Sequence, residues 1–241
     1  MNEEALITII TVVRNGIIGI ENTILSVINQ SDKRFKYYII DGESTDGTLD
    51  IIQKYEKNVD FFISEPDSGI YYAMNKALAR VNTRWVNFMN ANDTFYDNNV
   101  LSNFFNVVKE DTDVAYGNFI TMNGRKLSSH NISKYGLYRY LCPNHQSLFI
   151  KYNDSMQYDC SYKICADFDW FMNAFESGKK VQMLDFYVAK YDNSGISNNN
   201  YNIWRTESIK ILERHYGWLL TKIRFIFPDI RELINTKLMK K

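Results

Sequence analysis

Apolar residues follow two rhythms along the first half of the chain. The run "LITIITVV" (6–13) is continuous and β-branched, as in a strand covered on both faces. In "GIENTILSVINQ" (19–30), Ile20, Ile24, Val27 and Ile28 instead share one helical stripe. "FKYYIIDGESTDGT" (35–48) reads as a second strand ending in an acidic turn, with Asp46-Gly47 opening the helix "TLDIIQKYEK" (48–57). "VDFFISEPDSG" (59–69) is a third strand closed by Pro66, and "IYYAMNKALARV" (70–81) a third helix with Ile70, Met74, Ala77 and Val81 in register. "RWVNFMNAND" (84–93), "VLSNFFNVVKE" (100–110) and "DVAYGNFITM" (113–122) continue as strand, helix and strand. Strands alternating with helices at this spacing predict an α/β fold with a mainly parallel sheet and right-handed crossovers.

A parallel sheet binds its ligands beyond the carboxyl ends of the strands. Four polar endings fall on that edge: Thr11 to Asn15, Asp41 to Thr45, Glu65 to Gly69, and Asn90 to Asp93. The last, inside "FMNANDTF" (88–95), poses a question, because an apolar strand ends in three groups able to hold an ion and only Asp93 is charged. Taken alone it is a turn, since Asn and Asp bond their own backbone. Four such endings together predict a site.

Composition narrows the class. The chain has 241 residues, 45% of them hydrophobic and 15% aromatic, which excludes disorder and allows a large core. Lys plus Arg balances Asp plus Glu at 28 each, which argues against a nucleic-acid binder. From Tyr201 onward, however, nine basic residues face four acidic ones. Cys142, Cys160 and Cys165 form an odd set without a CxxC pair, so a reduced, intracellular protein is expected. No signal peptide or membrane-spanning stretch is legible.

Two nucleotide motifs are missing. No GxGxxG follows the first strand, and no GxxxxGK[ST] occurs anywhere. Phosphates would then be held through a divalent cation on carboxylates, which returns attention to Asp93.

At these residues the chain resembles a known family. "ITIITVVRN", "IENTILSVINQ", "YYIIDGESTDGT", "SEPDSGIYYAMNKAL" and "WVNFMNANDTF" are similar to family 2 glycosyltransferases, inverting enzymes of GT-A fold. The chain especially resembles the bacterial branch that builds capsule, O-antigen and exopolysaccharide. The likeness resumes at "PNHQSLFI" and "SYKICADFDWFMNAF" and ends near "YDNSGIS" (191–197).

The resemblance implies roles. Asp41 would meet the base or ribose of a nucleotide sugar, with Thr11 and Arg14 of the "VVRN" turn lining the same pocket and Asp67 beside it. For Asp41 the alternative is an Asx-turn before Gly42. Lys76 reaches a phosphate or belongs to a solvated helix face. Tyr72 stands where relatives often carry Asp and receives no role. "NAND" occupies the DxD position that holds Mn²⁺ or Mg²⁺: Asn90 would bond a ribose hydroxyl, while Asn92 and Asp93 would serve the metal. Asp167 matches the position of the general base, whereas Asp169 suits a favourable place at a helix N-terminus. His145 and Gln146 match a His-Gln pair on the acceptor side, although a structural histidine is the other reading. Trp170 is expected in the core.

The expectation is therefore a GT-A-type, Rossmann-like sheet flanked by helices. Residues 1–197 would form the transferase domain, with a nucleotide-sugar half to about 122 and an acceptor half beyond it. Residues 198–241 would form an amphipathic helical extension, lying on an anionic leaflet or packing on the domain or a second subunit. The implied activity is metal-assisted transfer from a UDP-linked donor onto a surface glycan or lipid-linked acceptor, in the cytoplasm or on the inner face of the membrane. A sugar-nucleotide nucleotidyltransferase and a degenerate nucleotide-sugar-binding module are the alternatives.

Overall fold

The computed structural model describes residues 4–127, 143–192 and 200–226. Along the chain run β1 (Ile7–Val13), α1 (Ile20–Ile28), β2 (Phe35–Asp41), α2 (Thr48–Lys54), β3 (Phe61–Ser64) and α3 (Ile70–Leu78). There follow β4 (Trp85–Phe88), β5 (Thr94–Phe95), α4 (Val100–Val107), β6 (Val114–Thr121) and β7 (Lys126–Leu127). A short 3₁₀ turn (His145–Ser147) leads into β8 (Leu148–Lys151), and then α5 (Ala166–Glu176), β9 (Val181–Tyr191), α6 (Tyr201–Tyr216) and α7 (Trp218–Ile226). Cys142, residues 193–197 of the "YDNSGIS" block and the tail from 227 lie outside the described residues.

Among those residues the strands form one sheet in the order β3-β2-β1-β4-β8-β6-β9-β5, with β7 added to β6. The quartet β3-β2-β1-β4 is wholly parallel, with Ile7 opposite Phe35 on one side and Trp85 on the other. Strand β8 runs antiparallel between β4 and β6, β9 is parallel to β6, and β5 is antiparallel to β9. The sheet is mainly parallel, as the alternation predicts.

Every residue of β1 is buried because helices cover both faces. Ile10 and Val12 pack in one core with Met74 and Ala77 of α3 and Phe168 and Phe171 of α5. Ile7, Ile9 and Val13 pack in the other with Ile20, Ile24 and Val27 of α1 and Leu101 and Phe104 of α4. The helical stripes thus meet the faces their spacing implies. At the start of α2, Asp46 accepts from the Thr48 backbone N–H (3.0 Å) and hydroxyl (2.5 Å), and Gly47 takes the left-handed conformation (φ 96°).

Two differences from the expected elements bear on the site. The fourth strand ends at Phe88, not Asp93, and the chain re-enters the sheet as β5 on the far side of the polar knot. The eleven-residue β9 was not expected, for its sequence "VQMLDFYVAKY" lacks both a continuous apolar run and clean alternation. Its stability comes from pairing with β6 and β5, contacts distant in sequence.

The amino-terminal part of the C-terminal extension packs on the domain. Ser208, Ile211 and Leu212 of α6 are fully buried, and the last two join the core containing Phe168 and Phe171. Helix α7 differs, exposing Trp218 (59%) and Leu219 (63%).

Candidate active site

The loops beyond β1 and β2 are laced together by their polar residues. Asn15 donates its backbone N–H to Ser44 Oγ (2.7 Å) and accepts from the Thr45 N–H through Oδ1 (2.9 Å). Gly16 N–H donates to Thr48 Oγ1 (2.9 Å), and Ile17 N–H to Asp46 (3.0 Å). Asn15, Glu43 and Asn92 are non-glycine residues at positive φ (53°, 60° and 78°), one in each of the loops beyond β1, β2 and β4. Strained backbone of this kind persists where surrounding bonds hold it. Between these loops opens a cavity of about 560 Å³, within the range of small-molecule sites. Arg14, Asp67, Asn90, Asn92, Asp93, Gln146 and Asp192 are among the residues on its wall.

Asp93 lies at the floor and is 4% exposed. Its Oδ2 accepts from the Gln146 amide (2.7 Å), its Oδ1 accepts from the Asp192 N–H (2.8 Å), and its carbonyl accepts from Thr23 Oγ1 (2.7 Å). Burial pushes the carboxyl up to about 7; the charge of Asp192 adds to the rise, and the two donated bonds oppose it. Asp93 N–H also donates to Asn90 O (3.0 Å), closing a turn through left-handed Asn92. The polar knot is therefore a turn, and that turn faces the cavity.

Around it, amide oxygens stand unpartnered. Asn90 Oδ1 and Asn92 Oδ1 are buried without a hydrogen-bond partner, an arrangement that costs about 1–3 kcal/mol per group unless a ligand or water fills it. Asn92 Oδ1 lies over Gly19, where a β-carbon would fall 2.0 Å from it, so only glycine fits there. Two carboxylates, Asp93 and Asp192, with Asn90 and Asn92, make an oxygen-only set suited to a hard divalent cation. Among the described residues no three His, Cys, Asp or Glu side chains are grouped to hold an ion, so such a cation would need ligands from phosphates and water. Within that limit the residues fit Mn²⁺ or Mg²⁺. Asp192 was missed as a site residue in the sequence; its signal was its place inside the "YDNSGIS" block.

The other expected site residues divide. Arg14 reaches the cavity wall, its stem packed over Gly42. Asp67 is on the same wall, with its side chain 6% exposed, and forms an ion pair with Lys76, which also pairs with Glu65 (2.7 Å). Burial pulls the Lys76 ammonium down, but its two carboxylate partners outweigh this and hold it above its ordinary value. A phosphate would have to compete with both of them. Thr11 and Asp41 are fully buried and absent from the cavity wall. Thr11 donates to Met89 O (2.8 Å) and meets the Tyr37 hydroxyl (3.0 Å). Asp41 accepts from Ser44 N–H (2.9 Å), Ser44 Oγ (2.5 Å) and Ser64 Oγ (2.7 Å), the Asx-turn arrangement, while Gly42 after it faces the cavity.

Gln146 stands beside Asp93, on the cavity floor. His145 is off the cavity wall: its ring stacks on Phe88 (5.1 Å) and its Nε2 meets the Tyr158 hydroxyl (3.0 Å). Burial lowers its pKa against the pull of Asp167, so the ring is neutral near pH 7. Asp167 lies in the first turn of α5, where it accepts from the Tyr71 hydroxyl of α3 (3.0 Å). The neighbours of Tyr71 on α3, Ile70 and Ala73, line the cavity. Asp169, in the same turn, pairs with Arg214 of α6 (2.5 Å). Trp170 packs partly buried against the core.

Comparison with known proteins gives a consistent result. Residues 8–175, well over half the chain, match the family described as Glycosyl transferase family 2. The chain is 27% identical over 185 residues to a PGL/p-HBAD biosynthesis glycosyltransferase of Mycobacterium bovis, covering 72% of each. It is 40% identical over 95 residues to the putative teichuronic acid biosynthesis glycosyltransferase TuaG of Bacillus subtilis, covering 38% of each. Among solved structures it resembles S. aureus TarS 1–349 in complex with UDP-GlcNAc, with TM-score 0.71, 18% identity, and coverage of 91% of this chain and 73% of that one. It also resembles glucosyl-3-phosphoglycerate synthase from Mycobacterium tuberculosis in complex with Mg²⁺ and UDP. There the TM-score is 0.62 at 14% identity, covering 87% and 79%. These likenesses establish the GT-A fold.

The buried Asp93 carboxyl has a testable signature. Its pKa is raised on folding, so its protonated form favours the folded state. That contribution is whole below pH 3.8 and is lost as pH rises toward about 7. Asp93→Asn, which cannot ionise, is expected to gain stability relative to wild type between pH 5 and 8, by at most about 4 kcal/mol. Urea unfolding in chelator at both pH values measures it; parallel pH curves for the two proteins would refute the assignment.

Proposed function

The chain belongs to Glycosyl transferase family 2 and is a glycosyltransferase, and we propose that it is an inverting, metal-assisted one that uses a UDP-linked sugar donor. The acceptor in this reading is a growing surface glycan or its lipid-linked precursor. What carries the proposal is the convergence on one cavity of Asp93, Asp192, Asn90 and Asn92, with Asp167 off its wall and bonded to Tyr71, whose helix neighbours Ile70 and Ala73 line it. The UDP and UDP-GlcNAc bound by structural neighbours, and the teichuronic acid pathway named for one relative, support the donor and acceptor classes.

The donor's diphosphate is assigned to the Asn90–Asp93 turn and its nucleoside to the cleft between the loops beyond β1 and β3. Arg14 has no acid partner among the described residues and would place its positive charge against the diphosphate. Asp93 and Asp192 would hold Mn²⁺ or Mg²⁺, with Asn90 and Asn92 offering neutral oxygens; the bound cation offsets charge on the leaving group. Asp167 accepts the proton of the acceptor hydroxyl as that oxygen bonds to the anomeric carbon. The bond from that carbon to the phosphate oxygen breaks, and nucleoside diphosphate leaves with the electron pair. Attack from the face opposite the leaving group inverts the configuration. The hydrogen bond from Tyr71 would orient the Asp167 carboxylate while leaving its second oxygen for the acceptor.

Helix α7 supports a further part of this reading, contact with an anionic membrane surface where lipid-linked acceptors reside. Trp218 and Leu219 are exposed, Lys222 Nζ lies 4.4 Å from the centre of the Trp218 ring, and no described helix is long and apolar enough to cross a membrane.

Three outcomes follow. Mn²⁺ and UDP should strengthen each other's binding by one common factor in calorimetry, and Asp93→Ala should abolish that coupling. Equal Mn²⁺ affinity with and without UDP would refute the metal assignment. Asp167→Asn is expected to reduce nucleoside diphosphate release by about 10²- to 10⁴-fold with UDP affinity nearly unchanged. Full turnover, or loss of UDP binding, removes Asp167 as base. Replacing Trp218 and Leu219 with Ser should weaken sedimentation with phosphatidylglycerol vesicles while leaving donor turnover intact, and undiminished vesicle binding would eliminate α7 as the contact.

A further inference from the structure

Helix α5 starts without a side-chain cap of its own. Cys165 precedes its first residue and makes no capping hydrogen bond. Backbone N–H groups at a helix start need partners, and here those before α5 find them far along the chain. Glu207 of α6 accepts from three successive residues: Lys163 N–H through Oε1 (2.7 Å), and Ile164 and Cys165 N–H through Oε2 (3.0 Å each). A carboxylate receiving three charge-assisted bonds is a strong anchor, and it sits at the positive end of the helix dipole.

The same short segment is gripped from the opposite side. The Tyr71 hydroxyl bonds Ile164 O as well as Asp167 Oδ1. Further along α6, Arg214 pairs with Asp169 (2.5 Å), whose second oxygen accepts from Asn173 (3.0 Å). Between these two anchors, Ser208 and Ile211 are fully buried, so α6 is seated along its length. Asp167 therefore lies between a backbone fixed by Glu207 and a side chain fixed by Arg214. Its own carboxylate is tied within the described residues to Tyr71 alone, so its direction is set by how the first turn of α5 is held.

We propose that Glu207 is a positioning residue for catalysis, fixing the first turn of α5 so that Asp167 meets the acceptor hydroxyl. This rests on the reading of Asp167 as base. The C-terminal extension is then part of the active site rather than an appendage to it. Although Asn200, before the first residue of α6, lines the donor cavity, Glu207 lies two turns along the helix and bonds residues 163–165, and among the described residues Arg14, Asn90 and Asp93 share no hydrogen bond with α5 or α6. Glu207→Gln preserves size but replaces one acceptor oxygen with an NH₂ group facing N–H donors.

The test uses the full chain with Mn²⁺ and a panel of UDP-, GDP- and dTDP-sugars. Glu207→Gln is expected to lower kcat for nucleoside diphosphate release roughly ten- to hundredfold, since small misplacements of a reacting group have that effect. The donor KM and UDP affinity should remain within about twofold. A purely structural contact would lower the melting temperature without dividing kcat from KM. Amide exchange at residues 163–169 should also accelerate in the variant. Wild-type kcat, an equal loss of UDP affinity, or unchanged exchange protection overturns the proposal, the last even if no sugar in the panel is turned over. If Glu207→Gln fails to fold, Arg214→Gln, which frees the other side of the turn, carries the same expectations. Asp167→Asn in parallel separates the two ideas. Its full activity would sink the base, whereas an inactive Asp167→Asn beside a fully active Glu207→Gln would sink only the anchor.

Discussion

A buried carboxylate ties the two halves of this molecule together. Asp93 follows the parallel quartet β3-β2-β1-β4, and both of its oxygens are bonded by groups from the mixed half: the Gln146 amide ahead of β8 and the Asp192 N–H at the end of β9. A carboxylate so enclosed is costly unless hydrogen bonds compensate it. The polar turn is therefore stable where those two segments converge, and they in turn are placed by it. The neutral amide of Gln146 compensates the enclosure without adding a cation, so burial still holds the Asp93 carboxyl well above the ordinary carboxylate range.

The sequence was most legible where periodicity and burial coincide. Ile20, Ile24 and Val27 mark a face that the structure buries, as do Met74 and Ala77 on α3. Helix ends ran shorter than the apolar stripes, as at α3, which stops at Leu78 although Val81 is buried in the same core. Strand β9 was not legible, because its residues are stabilised by partners on β6 and β5 instead of by a pattern of their own. Local periodicity cannot report pairings that distant.

The loops the sequence marked meet at one cavity, but the sequence did not rank the side chains within them. Asp41 and Asp67 look alike in sequence, each an acid after a strand, yet Asp41 is consumed by Ser44 and Ser64 while Asp67 reaches the cavity. The difference is one of bond partners, which depend on where neighbouring loops fold. His145 and Gln146 are adjacent, yet one turns inward against Phe88 and the other toward Asp93. Asp192 gave only a weak signal because its partner stands 99 residues earlier. Glu207 gave none, since a glutamate on an amphipathic helix is ordinarily a solvated one.

That chain separation has a consequence for biogenesis. The parallel quartet is present in the chain once Phe88 has been made, but a domain generally folds as a unit. Such an emerging chain would hold four of the nine described strands while Asp93 still lacked both of its donors, which arrive 53 and 99 residues later. The clamp on α5 arrives later still, with Glu207. On the reading proposed above, donor binding is thereby deferred at least until Asp192 has been made.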